Sequence, residues 1–229
     1  MNRRPLIWFS AAVVVAMLVV SAYAWMQLPP DARIPVHWGP DGQPDGFADK
    51  LTGLLLLPLV TAGVAALLAV VPSVEPRRTN LERSVKTYTA TWIGVVLLLG
   101  GIHVLAVAVA LGASFDLTRL AMVGAGALFV LIGNYLPKAR PNFLMGVRTP
   151  WTLTSDRSWA ATHRLGGRLF VVLGLVMIGL GLVDIGGVLL VGVLVAGVLG
   201  LVVVLFAYSY VVWRSDPDRR ADLGGASRG

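Results

Sequence analysis

The side chains that could perform chemistry fall into three groups along the chain. In the first, residues 27–51, His37 and the carboxylates of Asp41, Asp45 and Asp49 could provide nitrogen and oxygen ligands to a metal ion. Calcium loops of the EF-hand type need oxygen ligands at alternate positions and a glycine at the sixth, a pattern that is absent here. We therefore interpret this segment as a structural or partner-facing loop and expect no metal site. Its Pro-Asp-Gly run at residues 40–42 favours a tight turn, so residues 34–38 and those around Phe47 are predicted to form a small hairpin-like cap.

The second group is one side chain, because His103 is the only ionisable residue that lies clearly within the predicted membrane interior. A charge without a partner is costly in a bilayer, so such residues are candidates for function. Two interpretations of His103 stay open: a hydrogen bond inside a helical bundle, and a role in handling a ligand or protons. No apolar stretch carries Asp or Glu in its middle, which argues against a proton relay built from carboxylates.

The third group lies in a long polar segment, residues 134–167, which we call the insert. It contains several groups that lipid contact does not require, namely Asn134, Asn142, Arg148, Thr149 and Thr162. Buried amide, guanidinium and hydroxyl groups need hydrogen-bonding partners. The sequence therefore predicts a hydrogen-bonded plug or site folded into the mouth of a bundle, and a plain segment at the membrane surface is the alternative.

Local signals divide the insert into two parts. Pro137, Pro141 and Pro150 disfavour helix at the residues before them, so 136–150 should be mostly extended or turn. A helix start at Ser155 would place Trp159 and His163 on one face. We expect a short amphipathic helix along the membrane surface, with these side chains at the headgroups: Trp151, Trp159, Arg148, Arg157, Arg164 and Arg168.

Motifs for catalysis are missing from the sequence. It has no HExxH, P-loop, GxSxG or dinucleotide fingerprint, and it has three histidines and no cysteine. We expect a protein that is not an enzyme and that uses neither a cofactor nor a metal.

The elements that must position these groups are membrane helices. Hydrophobic residues make up 56% of the chain and charged residues 14%, and about 20 apolar residues are needed to cross a bilayer as a helix. Six stretches approach that length: 6–25, 52–71, 89–111, 117–136, 169–183 and 187–213. The predicted fold class is all-α, a polytopic membrane bundle of about six helices with a short ordered outer loop and an inner amphipathic insert.

Small residues indicate close packing between these helices. Gly124 to Ala127 read GAGA, and the last two stretches are also rich in glycine, which lets helix backbones approach closely in lipid. The fifth stretch is short, so we expect its helix to begin near Leu165, with Gly166 and Gly167 as an interfacial hinge or a close-packing point.

Basic residues predict the orientation. With the N-terminus in the cytoplasm, 16 of the 19 Lys and Arg residues lie inside, and only Arg33, Lys50 and Arg119 lie outside. Both termini are then cytoplasmic in a bacterial plasma membrane, and topology explains the net charge of +7 without nucleic-acid binding. Ala22-Tyr23-Ala24 fits a signal-peptide cleavage site, but the length of the first helix favours an uncleaved anchor.

Four parts of the chain follow from this topology. Residues 1–72 form a two-helix unit with the outer loop, and residues 73–88 form a cytoplasmic connector. Residues 89–213 form a four-helix unit that contains the insert. Residues 214–229 are polar and are predicted to be a disordered cytoplasmic tail.

Two motifs resemble a known family. The outer loop carries P-x-H-W-x-x-x-G-x-P-D-G…K, formed by Pro35, His37, Trp38, Gly42, Pro44, Asp45, Gly46 and Lys50. It resembles a small domain of unknown function that commonly precedes SdpI-type membrane proteins. The insert resembles the signature segment of the SdpI family at Gly133, Asn134, Pro137, Asn142, Gly146, Arg148, Thr149, Pro150, Trp151, Thr152, Trp159, Thr162, His163 and Gly167.

This resemblance implies a function. The SdpI family includes proteins that protect bacteria against a secreted toxic peptide of the Sdp killing system. The resemblance implies immunity for this chain, with membrane lipid and a peptide toxin outside as partners. It also implies the capture of a transcriptional repressor at the cytoplasmic face. A small-molecule transporter or channel is the alternative function, and the oligomeric state is left open.

Overall fold

The computed structural model describes residues 2–39, 41–183 and 186–218. Within these ranges the chain forms eight α-helices and one two-stranded sheet. In chain order they are α1 (Arg4–Gln27), β1 (Arg33–Trp38), β2 (Pro44–Asp49), α2 (Lys50–Val70), α3 (Arg78–Arg83), α4 (Val85–Ala110), α5 (Leu117–Tyr135), α6 (Pro150–Leu153), α7 (Asp156–Leu182) and α8 (Gly187–Arg214).

Six of the described helices, α1, α2, α4, α5, α7 and α8, are long and apolar enough to cross a membrane. The protein is therefore a multi-pass membrane protein with a helical bundle, which confirms the predicted fold class. Short 3₁₀ turns at Val71–Ser73 and Leu136–Lys138 extend α2 and α5. The part of the predicted tail from residue 219 onward lies outside the described residues.

The structure corrects the prediction for the fifth membrane helix. The surface helix predicted from Ser155 is not separate from the membrane helix expected to begin near Leu165, because α7 runs without a break from Asp156 to Leu182. Ser155 caps it by accepting a hydrogen bond from the Ser158 N–H at 2.9 Å. Gly166 and Gly167 are buried within the helix, so the prediction of a hinge is wrong and that of a close-packing point is confirmed.

Glycines hold α5 and α7 together at short range. A Cβ added at Gly126 would lie 2.6 Å from the Gly174 carbonyl oxygen, and one added at Gly133 would lie 2.7 Å from that of Gly167. Each pair lies two helical turns from the other on both helices. The backbones therefore meet along a repeated glycine contact, as small residues permit in lipid.

The loop between α1 and α2 is an antiparallel hairpin, as the Pro-Asp-Gly turn signal suggests. We call β1, β2 and their connection the hairpin. Gly42 takes a φ of +77°, and Ile34 fits against Gly53, where an added Cβ would lie 2.3 Å from the Ile34 Cβ. Asp49 caps α2 by accepting from the Thr52 N–H at 3.0 Å, and that bond lowers the pKa of its carboxyl. The hairpin is thereby seated on α2.

Candidate functional site

The candidate residues lie at two ends of the bundle. The hairpin adjoins the start of α2 at Lys50, whereas the insert contacts the segment that follows its other end, near Glu75. The structure therefore separates the two signature motifs by the length of a membrane helix. His103 lies between them, inside α4.

Asn142 organises the first turn of the insert. Its side chain is fully buried. The amide nitrogen donates to the Arg140 carbonyl at 2.7 Å, and the amide oxygen accepts from the N–H groups of Leu144 and Met145 at 2.9 and 2.8 Å. These bonds satisfy backbone groups that no helix or strand pairs, so Asn142 substitutes for regular structure in this turn.

A buried carboxylate ties this turn to the end of α2. Glu75 is 1% exposed. Its oxygens accept from the backbone N–H of Phe143, at 3.1 Å for the nearer one, and from that of Arg77 at 2.9 Å. The Arg77 guanidinium also lies over the Phe143 ring at 4.9 Å. A buried charge needs such hydrogen bonds, and here it fixes the insert to the connector between α2 and α3.

His163 is held at both ring nitrogens. Nδ1 lies 2.8 Å from the Trp159 carbonyl, and Nε2 lies 3.1 Å from the Val147 backbone nitrogen. Since a carbonyl only accepts and an N–H only donates, the imidazole is neutral with its proton on Nδ1. The ring stacks on Trp159, with centroids 4.0 Å apart.

The contact between Gly146 and His163 explains why the signature segment has a glycine at this position. Its φ is +98°, and an added Cβ would lie 2.2 Å from the His163 Nε2. Both the backbone conformation and the space require glycine, so that the next residue, Val147, can present its N–H to the ring.

Further bonds join the first part of the insert to α3, to the start of α4 and to the part of α7 that the insert contains. The Trp159 indole is buried and donates to the Ala139 carbonyl at 2.8 Å, so it does not lie at the headgroups as predicted. The Ser84 hydroxyl, at the start of α4, accepts from the Arg140 N–H at 2.8 Å. Asn80 in α3 donates to the Pro141 carbonyl at 2.8 Å.

Thr149, which forms a capping box at the start of α6, and Ser158 connect the insert to α8. The side chains of Thr149 and Thr152 each bond the backbone N–H of the other at the start of α6, where Pro150 occupies the first turn. The Thr149 hydroxyl also donates to Ser209 Oγ at 3.0 Å, and the Ser158 hydroxyl donates to the Ser209 carbonyl at 2.8 Å.

The end of α8 adds an aromatic and a polar contact. Trp151 packs on Phe206 and Tyr210 with ring centroids 4.6 and 5.1 Å apart. Ser155 donates to the carboxylate of Asp216, which lies in the segment predicted to be a disordered tail. The Arg157 guanidinium also donates to the Ser215 carbonyl at 3.2 Å, so Ser215 and Asp216 contact the insert.

Three predicted insert residues differ from the rest. Arg148 is exposed and donates to the Phe143 carbonyl, and Asn134 is exposed and donates to Val130 in its own helix at 2.9 Å. Arg148 and Asn134 are therefore not part of a buried plug, since both side chains are exposed and each donates to a backbone carbonyl nearby. Thr162 is fully buried, and its hydroxyl has no hydrogen-bonding partner among the described residues.

The hairpin residues make fewer internal contacts. His37 Nδ1 pairs with Asp45 at 2.5 Å on an exposed surface. Lys50 is buried, donates to the Leu28 carbonyl at 2.6 Å and lies over the Trp25 ring. Pro35 and Trp38 line a cavity below the hairpin, and Gly42 lies against Asp116. No group of three or more metal-binding side chains occurs among the described residues.

His103 takes part in hydrogen bonds between α1 and α4. Its Nε2 lies 3.0 Å from Ser21 Oγ and 3.1 Å from the Met17 carbonyl. The Ser21 hydroxyl donates to the Leu54 carbonyl of α2 at 2.8 Å, so three helices meet at this histidine. This geometry is that of the first interpretation, an internal hydrogen bond.

Several residues of the insert network were not predicted. They are Glu75, Asn80, Ser84, Ser209 and Asp216. Two left a signal in the sequence: Glu75 is an acidic residue beside basic ones, and Ser209 is a polar residue in a strongly apolar helix. The others lie in polar segments, where a further polar residue is not distinctive in the sequence.

Comparison with known proteins identifies both signature regions. The SdpI/YfhL protein family matches residues 138–211, and a domain of unknown function, DUF1648, matches residues 12–62. The immunity protein SdpI of Bacillus subtilis strain 168 is 22% identical over 170 residues, which cover 73% of this chain and 77% of that protein. No solved structure matches the chain. The predicted resemblance to the SdpI family is confirmed.

Proposed function

We propose that this chain, which joins a DUF1648 segment to an SdpI/YfhL segment, is a membrane immunity protein that protects a bacterium against a secreted peptide toxin. The observation that carries the proposal is the match to a protein named for immunity across most of both chains. The action is non-catalytic: the protein binds a membrane-active peptide or covers its target.

The two ends of the bundle have different parts in this proposal. The hairpin is the first contact with the peptide; the excess of basic residues at the insert end supports an outer position for it. The insert reports occupancy to the cytoplasm. Its support is the hydrogen bonding described above, which joins the insert to α3, α4, α7 and α8 and to the end of α2.

A second part of the proposal concerns signalling. The cytoplasmic face would carry 16 basic against six acidic residues, and exposed Arg148 projects from it. Such a face can attract an acidic surface of a soluble regulator, such as a transcriptional repressor. A repressor that co-purifies with the membrane only in the presence of toxin would support this part separately.

Arg148 offers the most direct test, because it is exposed and its loss should leave the fold intact. Sensitive cells carrying the chain, Arg148→Ala, or Arg164→Ala as an exposed control are challenged with an Sdp-type toxic peptide and with an unrelated pore-forming peptide. We expect selective protection by the chain and by Arg164→Ala, and loss of protection in Arg148→Ala at equal abundance in the membrane.

His163→Ala does not offer the same separation, since the ring is buried and holds Val147 and Trp159. If the intact chain inserts correctly and gives no protection, the immunity proposal is wrong. Solute flux into vesicles that contain the purified chain would then test the alternative function, transport.

A further inference from the structure

A cavity of about 450 Å³ lies directly below the hairpin. Its roof is β1, from Ile34 to Trp38, and its walls come from α2, α4, α5 and α8. The lining is mostly apolar, and its polar side chains include Thr118, His37 and His103. Its volume lies in the range of about 300–1,000 Å³ that is typical of ligand sites, so it can receive several apolar side chains at once.

The cavity has an opening at the side of the bundle. α2 packs on α1 and α4, whereas α8 packs on α7, and the cavity lies where these two groups face each other. Leu56 lines it and is 43% exposed, so the opening lies beside α2. Gly53 to Leu57 are in the first two turns of α2, which places the opening within about 10 Å of the end of the helix that carries the hairpin.

Carboxylates surround the adjoining tip of the hairpin. The position of an added Cβ at Gly42 lies 2.9 Å from Asp116, and that at Gly39 lies 2.8 Å from Asp41 and 3.2 Å from Asp45. Asp116 directly precedes Leu117, a residue of the cavity wall. Over this whole end of the protein, the predicted topology gives six acidic residues against three basic ones.

Together, these features select the kind of occupant. Lipid phosphate groups next to three carboxylates would be repelled, whereas ammonium or guanidinium groups would be attracted. We propose that the cavity binds the apolar side chains of a cationic, amphipathic peptide, whose basic side chains lie at Asp41, Asp45 and Asp116. This inference rests on the proposed function and assigns the place where the toxic peptide is held.

Binding can be measured with a defined probe. The full chain is placed in nanodiscs of phosphatidylcholine and titrated with a fluorescent Leu/Lys helical peptide of about 18 residues that carries one photoreactive leucine. We expect crosslinks to residues of the cavity such as Leu56, Ile102 and Leu194. Crosslinks that lie elsewhere, or no binding to the unchanged chain, would overturn the proposal.

Ala125→Phe fills the cavity from α5, and Ala127→Phe is its matched control. Ala125 lines the cavity, whereas Ala127 is exposed and lines a separate cleft on α5. We expect binding of the probe to weaken about tenfold in the first variant and to stay unchanged in the second. Equal binding by both variants would contradict the proposal.

Asp41→Lys tests the charge without altering the core, since Asp41 is exposed. It should weaken binding of the Leu/Lys peptide, strengthen binding of a matched Leu/Glu peptide, and reduce the sensitivity to salt. This variant keeps the proposal testable even if Ala125→Phe fails to fold. Unchanged preference between the two peptides would count against the acidic rim.

Binding of a lipid in the cavity, instead of the peptide, can be recognised in the same nanodiscs. A phospholipid with a photoreactive acyl chain that labels the cavity, and that the peptide cannot displace, would show that the cavity holds lipid. The survival assay separates the two proposals: protection by Ala125→Phe at the level of the unchanged chain leaves immunity standing and removes the cavity from it.

Discussion

The two ends of this protein solve the problem of polar groups in a membrane protein differently. At the insert end, buried side chains such as Asn142, Glu75 and His163 are hydrogen bonded to backbone groups of several elements. At the hairpin end, the His37 and Asp45 pair is exposed, and the space below it is apolar and open. The first arrangement fixes positions, while the second leaves room for a ligand.

This difference predicts which substitutions should lower the stability of the fold and which should alter function alone. Removal of one partner of a buried hydrogen bond costs free energy, because the remaining donor or acceptor has neither a protein partner nor water to bond. An exposed pair regains water when it is broken. We therefore expect large effects on unfolding at the insert and small ones at the hairpin, in the following order.

Gly146→Ala should give the largest effect. The new Cβ would lie 2.2 Å from the His163 Nε2 at a φ of +98°, so strain and loss of the Val147 bond add together. We expect the free energy of unfolding to fall by about 2–4 kcal/mol, measured by thermal or denaturant unfolding in detergent.

Gly112→Ala is the matched control, because Gly112 also has a φ of +98° but has nothing within 4 Å of an added Cβ. It should lose only the part due to backbone strain, about 1–2 kcal/mol. If both variants lose the same amount, the contact with His163 contributes nothing to stability.

Glu75→Gln should give an intermediate effect. The shape is kept, but the charge that strengthens the bonds from Phe143 and Arg77 is removed. We expect a loss of about 1–2 kcal/mol in the same unfolding measurement. Asp31→Asn removes an exposed carboxylate and should stay within about 0.5 kcal/mol. A neutral result for Glu75→Gln would mean that the insert does not depend on this anchor.

His37→Ala should give the smallest effect on unfolding. The side chain is 72% exposed and its partner Asp45 is 52% exposed, so water screens the pair. We expect a change within about 0.5 kcal/mol. A loss as large as that of Gly146→Ala would remove the contrast between the two ends.

Much of the architecture was open to prediction from the sequence. The apolar stretches predicted six membrane helices, because their length must match the thickness of the bilayer. The Pro-Asp-Gly signal suggested the hairpin, because proline and glycine restrict the possible turns. The helix start at Ser155 was predicted correctly, but the surface helix was wrongly separated from the fifth membrane helix. The charges around Trp159 resemble those of a surface helix, and the pattern alone does not show what covers that side chain.

The partners of the polar residues could not be predicted in the same way. Asn142, Thr149 and His163 were singled out by type, yet their partners come from segments far along the chain or from backbone groups whose direction depends on the turn. Arg148 and Asn142 looked alike as polar residues of the insert. The structure places the first at the surface and the second in the interior.

The sequence by itself determined the membrane class, the number of spanning helices, the hairpin signal and the family resemblance, because these depend on local composition, spacing and motif residues. The tertiary structure alone decided that Glu75 meets Phe143, that Gly146 fits against His163, and that a cavity lies under β1. The physical reason is that hydrogen bonds and cavities depend on distances between elements, and those distances are set only when the helices pack.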